Sequence, residues 1–309
     1  MNEAITKSMS PSTMKEGFER QSLYAVIVTY HPDESVYNNI ERVLEFYSYI
    51  VIVDNTEVGE SDDLLTHFSN VERVEIIANC DNKGIAEALN QGVARSEELG
   101  ATWVTTFDQD SYLLEDYPSL IQSYINDISS KGRLPVFGCS HIDPSQVEVA
   151  KKWQESINAG FQAVDEVITS GMTFSVMTWR LLNGFDSQLF IDFVDHDFCA
   201  MARNNNISCL ITKKPVLVHA LGDQTTHRFF HKRVRTSNHS PFRRYYMARN
   251  TVVYAKRYRA KCPDIVFAYC RHLLFEQIKI LLFEREKGKK ILSFIRGVFD
   301  GLMGGVGRI

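Results

Sequence analysis

The chain reads as an α/β protein with a Rossmann-like, mostly parallel central sheet flanked by helices. Three observations predict this. Apolar β-branched runs alternate with amphipathic stretches in the order β-α-β-α-β-α-β over residues 24–110. Those runs are apolar on both faces, as strands covered by helices on each side must be. Polar and acidic residues collect where the runs end, which is the edge at which such sheets bind ligands.

Residues 1–22 carry no periodic apolar face and read as a flexible leader. YAVIVTY (24–30) is the first buried strand, broken by His31-Pro32-Asp33. Asp33 is placed to cap a helix over about 35–47, with Val36, Ile40, Val43, Leu44 and Tyr47 on one face. YIVIVD (49–54) is a second strand ending in Asp54, and Ser61 can cap a short helix over 62–69. VERVEIIAN (71–79) is a third strand, and residues 84–99 form a helix with Ile85, Ala88, Leu89 and Val93 inward. WVTTFDQD (103–110) is a fourth strand with two carboxylates at its end. Right-handed crossovers join such strands into one parallel sheet.

Beyond this point, residues 120–128 read as helix and 136–140 as strand. A strand follows the Ser170-Gly171 turn, and Gly184 closes a short helix over 179–186. Residues 189–206 begin extended and become helical near Asp195, and PVLVHALG (215–222) is a late strand carrying His219. From about 241 the chain is basic and amphipathic. The organisation expected is a leader (1–22), a catalytic domain (23–240) and a basic helical region (241–309).

With 44% hydrophobic and 23% charged residues, the chain is not intrinsically disordered. No run of 18 uncharged apolar residues occurs, so no helical span is expected. No secretion-type apolar segment and no CxxC pair among the six cysteines is found, which points to the cytoplasm and reduced thiols. The formal charge of -4 hides an asymmetry: residues 1–226 balance at -18 and residues 227–296 at +14. A basic C-terminal quarter implies an anionic partner such as a lipid surface or a nucleic acid, or else a basic layer offsetting the acidic body. No GxGxxG or GxxxxGK[ST] motif occurs, so the common phosphate cradles are not supported.

Three groups of residues carry chemistry. Asp108-Gln109-Asp110 puts two carboxylates at the end of a buried strand, a costly arrangement unless a cation joins them. Hard oxygen ligands suit Mg²⁺ or Mn²⁺, ions that bridge to substrate phosphates. Asp192, Asp195 and Asp197 crowd one apolar segment, and repulsion among them favours a general base, with Asp195 the choice. His219, alone at a strand end, is either a packed residue or a further metal ligand.

The ordered series VIVTYHPD, VIVDNT, NCDNKGIAEALNQG, DQDS (108–111), TSGMTFSV, NGFDSQLFIDFVDHDFC, VHALG and RRYYMARN resembles family 2 glycosyltransferases of the GT-A fold. More narrowly it resembles bacterial rhamnosyltransferases of O-antigen and surface-polysaccharide synthesis, over about residues 23–255. The resemblance implies that Thr29, Tyr30 and Asp54 hold the nucleobase, with Asn82, Lys83 and Gly84 by the ribose and diphosphate. It places Asp108 and Gln109 in the nucleotide-sugar site, and Asp108, Asp110 and His219 around Mg²⁺ or Mn²⁺. Asp195 would be the catalytic base.

The reaction implied is inverting transfer from dTDP-L-rhamnose to a polyprenyl-diphosphate-linked saccharide. The location implied is peripheral, at the inner face of the cell membrane, with residues 241–296 meeting anionic headgroups through Arg243, Arg244, Arg249, Lys256, Arg257, Arg259 and Lys261. The family often has Arg six residues after the base; here that position is Met201, with Arg203 two further on, and His196 within the acidic motif is also less usual. Rival readings are a UDP-hexose donor, a non-catalytic scaffold, and a nucleic-acid-binding protein using the basic region. The acidic body and the lack of a recognisable binding module argue against nucleic acid. A homo-oligomer is left open.

Overall fold

The computed structural model describes residues 22–58, 67–127, 134–147, 160–219, 225–229 and 232–309. The expected leader, apart from Ser22, and most of the expected 62–69 helix lie outside these residues. The sheet begins with β1 (Leu23–Thr29), β2 (Tyr49–Asp54), β3 (Val74–Ala78) and β4 (Trp103–Asp108). They pair in the order β3-β2-β1-β4, all parallel. Beyond β4 the sheet continues through β8 (Met172–Ser175), β6 (Val136–Ile142), β9 (Cys209–His219) and the short β5 (Ser111–Leu113). The β4–β8, β8–β6 and β9–β5 pairs are antiparallel, and β6–β9 is parallel. The strand β7 (Phe161–Val164) adds to β9, and β10 (Thr225–Phe229) with β11 (Lys232–Thr236) form a separate hairpin.

Helices cover both faces of β1, β2 and β4, which is why these strands are largely apolar. On β1, Ala25 and Ile27 join α1 (Glu34–Leu44) and α3 (Tyr117–Asp127) through Val36, Ile40, Tyr117 and Ile121. Val26 and Val28 point the other way, toward Ala88, Leu89 and Val93 of α2 (Ile85–Glu98) and Phe198 of α5 (Val194–Asn204). The two-residue alternation of a strand thus feeds two cores. Asp33 caps α1 as expected, its Oδ1 accepting from the Ser35 N–H at 2.8 Å. A short helix, α4 (Val176–Leu181), precedes the Gly184 turn.

Three helices end the chain: α6 (Pro241–Tyr258), α7 (Pro263–Phe283) and α8 (Lys287–Met303). They are fused to the body. Val253 of α6 enters one sheet core, and Tyr245 and Tyr246 pack on Phe190. A Cβ at Gly301 of α8 would stand 2.8 Å from the Arg249 carbonyl, so glycine lets α8 lie close against α6.

Candidate active site

Adjacent strands end side by side and build the site. Thr29 is in register with Asp54, and Val28 with Asp108, so Thr29, Asp54 and Asp108 stand along one edge. Asp54 is fully buried. Its Oδ1 accepts from Thr29 Oγ1 at 2.8 Å and Thr56 Oγ1 at 2.7 Å, whereas its Oδ2 has no hydrogen-bond partner among the described residues. A buried carboxylate oxygen without a donor is costly, and a ligand N–H would satisfy it. The Tyr30 N–H donates to Gln109 Oε1 at 2.8 Å, tying the β1 and β4 loops together. The Tyr30 ring is 42% exposed.

The Asn82–Gly84 turn opens α2. Asn82 Oδ1 accepts from the Gly84 N–H at 3.0 Å, and Asn55 Nδ2 donates to the Gly84 carbonyl at 3.2 Å. Gly84 has φ +85, and a Cβ there would meet the Phe190 carbonyl oxygen at 2.6 Å. Only glycine satisfies both demands. Lys83 is exposed at the same turn, where the helix N-terminus favours an anion.

At the far end of β4, Asp108, Asp110 and His219 bring their ligand atoms within 4.8 Å of one another. The β5–β9 pairing sets Ser111 opposite His219, whose Nδ1 is 2.8 Å from Ser111 Oγ and 3.2 Å from Asp110 Oδ1. Burial pushes the Asp108 carboxyl up to about 6, with Asp110 and Asp195 adding to the effect and His219 opposing it. Two carboxylates and an imidazole converging on one point, one acid desolvated, fit a divalent cation.

Asp108 and His219 line a cavity of about 540 Å³ together with Asp192, Asp195, His196, Arg243, Tyr269 and His272. The segment before α5 is unusual: Phe190, Asp192 and Phe193 all have positive φ (63°, 62° and 68°). The RRYYMARN segment on α6 holds it there. Asn250 Nδ2 donates to the carbonyls of Leu189, Ile191 and Asp192 at 2.8–2.9 Å, and Arg249 Nη2 to those of Gln188 and Leu189 at 2.9 Å. Arg243 pairs with Asp192 at 3.0 Å. The clamp fixes where α5 starts, and so where Asp195 points.

The structure therefore brings Asp108, Asp195 and His219 into one cavity, with Asp110 attached through His219. Thr29, Tyr30, Asp54, Asn82, Lys83, Gly84 and Gln109 do not line it; they form the neighbouring edge at the ends of β1, β2 and β4 and the start of α2. The expected headgroup contacts need correction. Arg244 is buried between Glu276 and Glu284, and Arg249 is buried on the loop carbonyls. Lys256 donates to the Gly301 and Leu302 carbonyls, Arg257 pairs with Asp186 and Asp197, and Arg243 faces the cavity. Those side chains answer acids and carbonyls of this same chain; of the seven, Arg259 and Lys261 are exposed and make no such contact among the described residues.

Sequence reasoning missed Thr56, Glu166, Tyr269 and His272, none of which sits in an acidic cluster or at the end of an expected strand. The Met201 departure is bridged from elsewhere. Arg257 reaches Asp197 at 3.0 Å from α6, and Arg203 donates to the Asp165 carbonyl and faces Glu166 at 4.0 Å.

Residues 24–168 match the Glycosyl transferase family 2 model. The chain carries a glycosyl transferase family 2 domain. The matched segment of this glycosyltransferase spans Asp54, Asn82–Gly84, Asp108–Asp110 and Glu166; Asp195 and His219 lie beyond it. The dTDP-rhamnosyl transferase RfbF of Shigella flexneri is 29% identical over 296 residues, covering 92% of this chain and 96% of RfbF. Among solved structures, mannosyltransferase PcManGT from Pyrobaculum calidifontis, in complex with GDP-Man and Mn²⁺, matches 93% of this chain and 75% of its own at 14% identity and TM-score 0.54. S. aureus TarS 1–349, in complex with UDP-GlcNAc, matches 90% of this chain and 81% of its own at 14% identity and TM-score 0.56. These likenesses bear out the GT-A fold.

Proposed function

We propose that this glycosyltransferase moves L-rhamnose, with inversion, from dTDP-L-rhamnose to a hydroxyl of a polyprenyl-diphosphate-linked saccharide in O-antigen or surface-polysaccharide synthesis. The observation that carries the transfer reading is the shared cavity: an acid suited to accept a hydroxyl proton, Asp195, faces the Asp108–His219 end of the sheet. The donor is read from the similarity to RfbF along nearly the whole chain.

In this reading Asp54 Oδ2 accepts the N–H of the pyrimidine ring, with Thr29 fixing Asp54 and the Tyr30 ring beside the base. Asn82, Lys83 and the Gly84 turn face the ribose and diphosphate, with Gln109 holding the β1 and β4 loops in register. Asp108, Asp110 and His219 would hold Mg²⁺ or Mn²⁺, whose charge neutralises a departing diphosphate. Asp195 takes the acceptor proton as the oxygen attacks the anomeric carbon from the face opposite the diphosphate.

Residues 23–240 form the catalytic unit, with 241–309 completing its cavity and meeting the membrane. Among the described residues no helix is long and apolar enough to cross a membrane. The outer faces of α7 and α8 nonetheless expose Phe267, Leu274, Phe275, Ile278, Ile295 and Phe299, near the exposed cations Arg271, Arg285, Lys287, Lys289 and Arg296. An apolar face with basic neighbours suits shallow burial in an anionic leaflet at the cytoplasmic side.

The test is incubation of the purified protein with a lipid-linked saccharide and, in turn, dTDP-rhamnose, UDP-glucose, UDP-galactose and UDP-N-acetylglucosamine, with and without Mg²⁺. Turnover should favour dTDP-rhamnose, and Asp195→Asn should lower kcat by about 10³-fold while still binding donor. Preference for a UDP-hexose rejects the donor; full turnover by Asp195→Asn rejects the base.

A further inference from the structure

Behind Asp195 lies a partly buried group of side chains that sugar transfer as described does not use. His196 Nδ1 is 2.8 Å from Glu166 Oε2. The Tyr269 hydroxyl donates to the same Glu166 oxygen and lies 2.9 Å from His196 Nδ1, and Tyr254 reaches Glu166 Oε1 at 3.5 Å. The rings of Phe193 and Tyr269 pack on the imidazole, with centroids at 5.0 and 4.8 Å. With Nδ1 committed to Glu166, the other nitrogen, Nε2, faces Asp195 Oδ1 at 3.9 Å. The backbone N–H of His196 donates to that same Oδ1 at 2.8 Å. Both contacts fall on Oδ1, which leaves Oδ2 as the oxygen available to an acceptor hydroxyl.

We propose that Glu166 and His196 are positioning residues for the base: Glu166 orients the imidazole, and the imidazolium set against Asp195 fixes its carboxylate. The inference rests on Asp195 being the base of the proposed transfer. The need for such a pair follows from the crowd of acids. Asp108, Asp192 and Asp195 line one cavity and disfavour one another's charge. Asp192 has Arg243 at 3.0 Å, and Asp108 is grouped with His219. The cation in contact with Asp195 is His196.

The groups around the imidazole agree on its charge. Asp195 and Asp192 face it from its own segment, Glu166 from the loop before β8, Tyr254 from α6 and Tyr269 from α7; Arg203 and Arg243 stand behind Glu166 and Asp192, and His272 lines the same cavity. Burial works against the charged imidazole, but Asp195, Glu166 and Asp192 together raise it to about 9. Glu166 is held below the usual carboxylate range: burial opposes this, and the His196 hydrogen bond and charge outweigh it. The arrangement is a carboxylate–imidazolium–carboxylate series in which only the last member meets substrate. Because Tyr254 and Tyr269 lock Glu166 and His196, the C-terminal helices take part in aiming the base.

The test combines a pH–rate profile with direct titration. In His196→Asn the acid limb of the kcat profile should move up by about one pH unit, giving a roughly 10-fold deficit at low pH that shrinks at high pH, with donor KM within about 2-fold of wild type. A profile that superimposes on that of the wild type overturns the inference, as does a rise in donor KM with the limb unmoved. Should His196→Asn fail to fold, the imidazole signals of the folded wild type decide: a midpoint near 9 that falls below 8 in Glu166→Gln supports the pair, and a wild-type midpoint at or below 6.5 overturns it. Wild-type protein that transfers no sugar from any nucleotide donor removes the functional reading instead, and the titration still reports on the pair.

Discussion

Asn250 offers the sharpest test of how Asp195, the proposed base, is held. Its side chain is fully buried, and its two amide hydrogens are shared among the carbonyls of Leu189, Ile191 and Asp192. Those carbonyls flank three non-glycine residues in the left-handed region, Phe190, Asp192 and Phe193. Each such residue costs about 1 kcal/mol, so the turn survives only because its surroundings over-determine it. Asn250→Ala removes two hydrogen bonds of about 1 kcal/mol each and strands buried carbonyls at a similar further cost. The expected loss is about 3 kcal/mol, or roughly 5 °C in Tm for a chain of this size. The released turn shifts the start of α5, and a displacement of about 1 Å at a catalytic group costs on the order of 10²-fold in kcat. Donor affinity should hold within about 3-fold, because Thr29 and Asp54 belong to other strands. Thermal unfolding and steady-state transfer read both effects. A variant that melts within about 2 °C of wild type and keeps kcat within about 3-fold refutes the clamp.

Other outcomes follow from the same structure. Glu284→Gln leaves Arg244 and Lys290, buried at 2.7 and 2.8 Å from that carboxylate, short of one negative charge, and should destabilise by about 3 kcal/mol in urea unfolding. Gly84→Ala must place a Cβ 2.6 Å from Phe190 at φ +85, and should cost about 2 kcal/mol or more and weaken nucleotide binding, measured by calorimetry. His196, raised to about 9 in the fold against about 6.5 when unfolded, adds stability that is fully present below pH 6.5 and lost as pH rises through 9. Melting curves should show that loss in the wild type and lack it in His196→Asn.

What the sequence revealed and what it hid have a common physical cause. β1, β2 and β4 are legible because helices cover both their faces, so each is a largely apolar run, and Asp54 and Asp108 mark where the runs end. The three residues of β5 and the four of β7 lack such a signature; they exist because β9 offers an edge to pair with. β9 itself begins six residues before the expected start, since Lys213, Lys214 and Pro215 interrupt its apolar pattern without ending the strand. Thr56, Glu166 and Tyr269 reach the site through contacts 2 to 103 residues apart in sequence, and residue type alone carries no mark of them.

The arginines of α6 show how charge counted along a chain misleads when its partners are distant. A balance of -18 against +14 invites an external polyanion. The fold spends much of that difference internally: Arg243 answers Asp192, Arg257 answers Asp186 and Asp197, and Arg244 answers Glu276 and Glu284. Acids gathered, as proposed, for a cation and a base must be kept from repelling one another, and helices arriving from the end of the chain supply neutralising charge. The acids given such partners, Asp192 and Asp197, hold structure. Asp108, desolvated and grouped with Asp110 and His219, is the acid that would meet a divalent cation in the proposed reading. Division of labour among these carboxylates is thus set by which of them the C-terminal helices neutralise, and removing Arg243 or Arg257 should disturb the cavity even though neither is asked to touch the sugar.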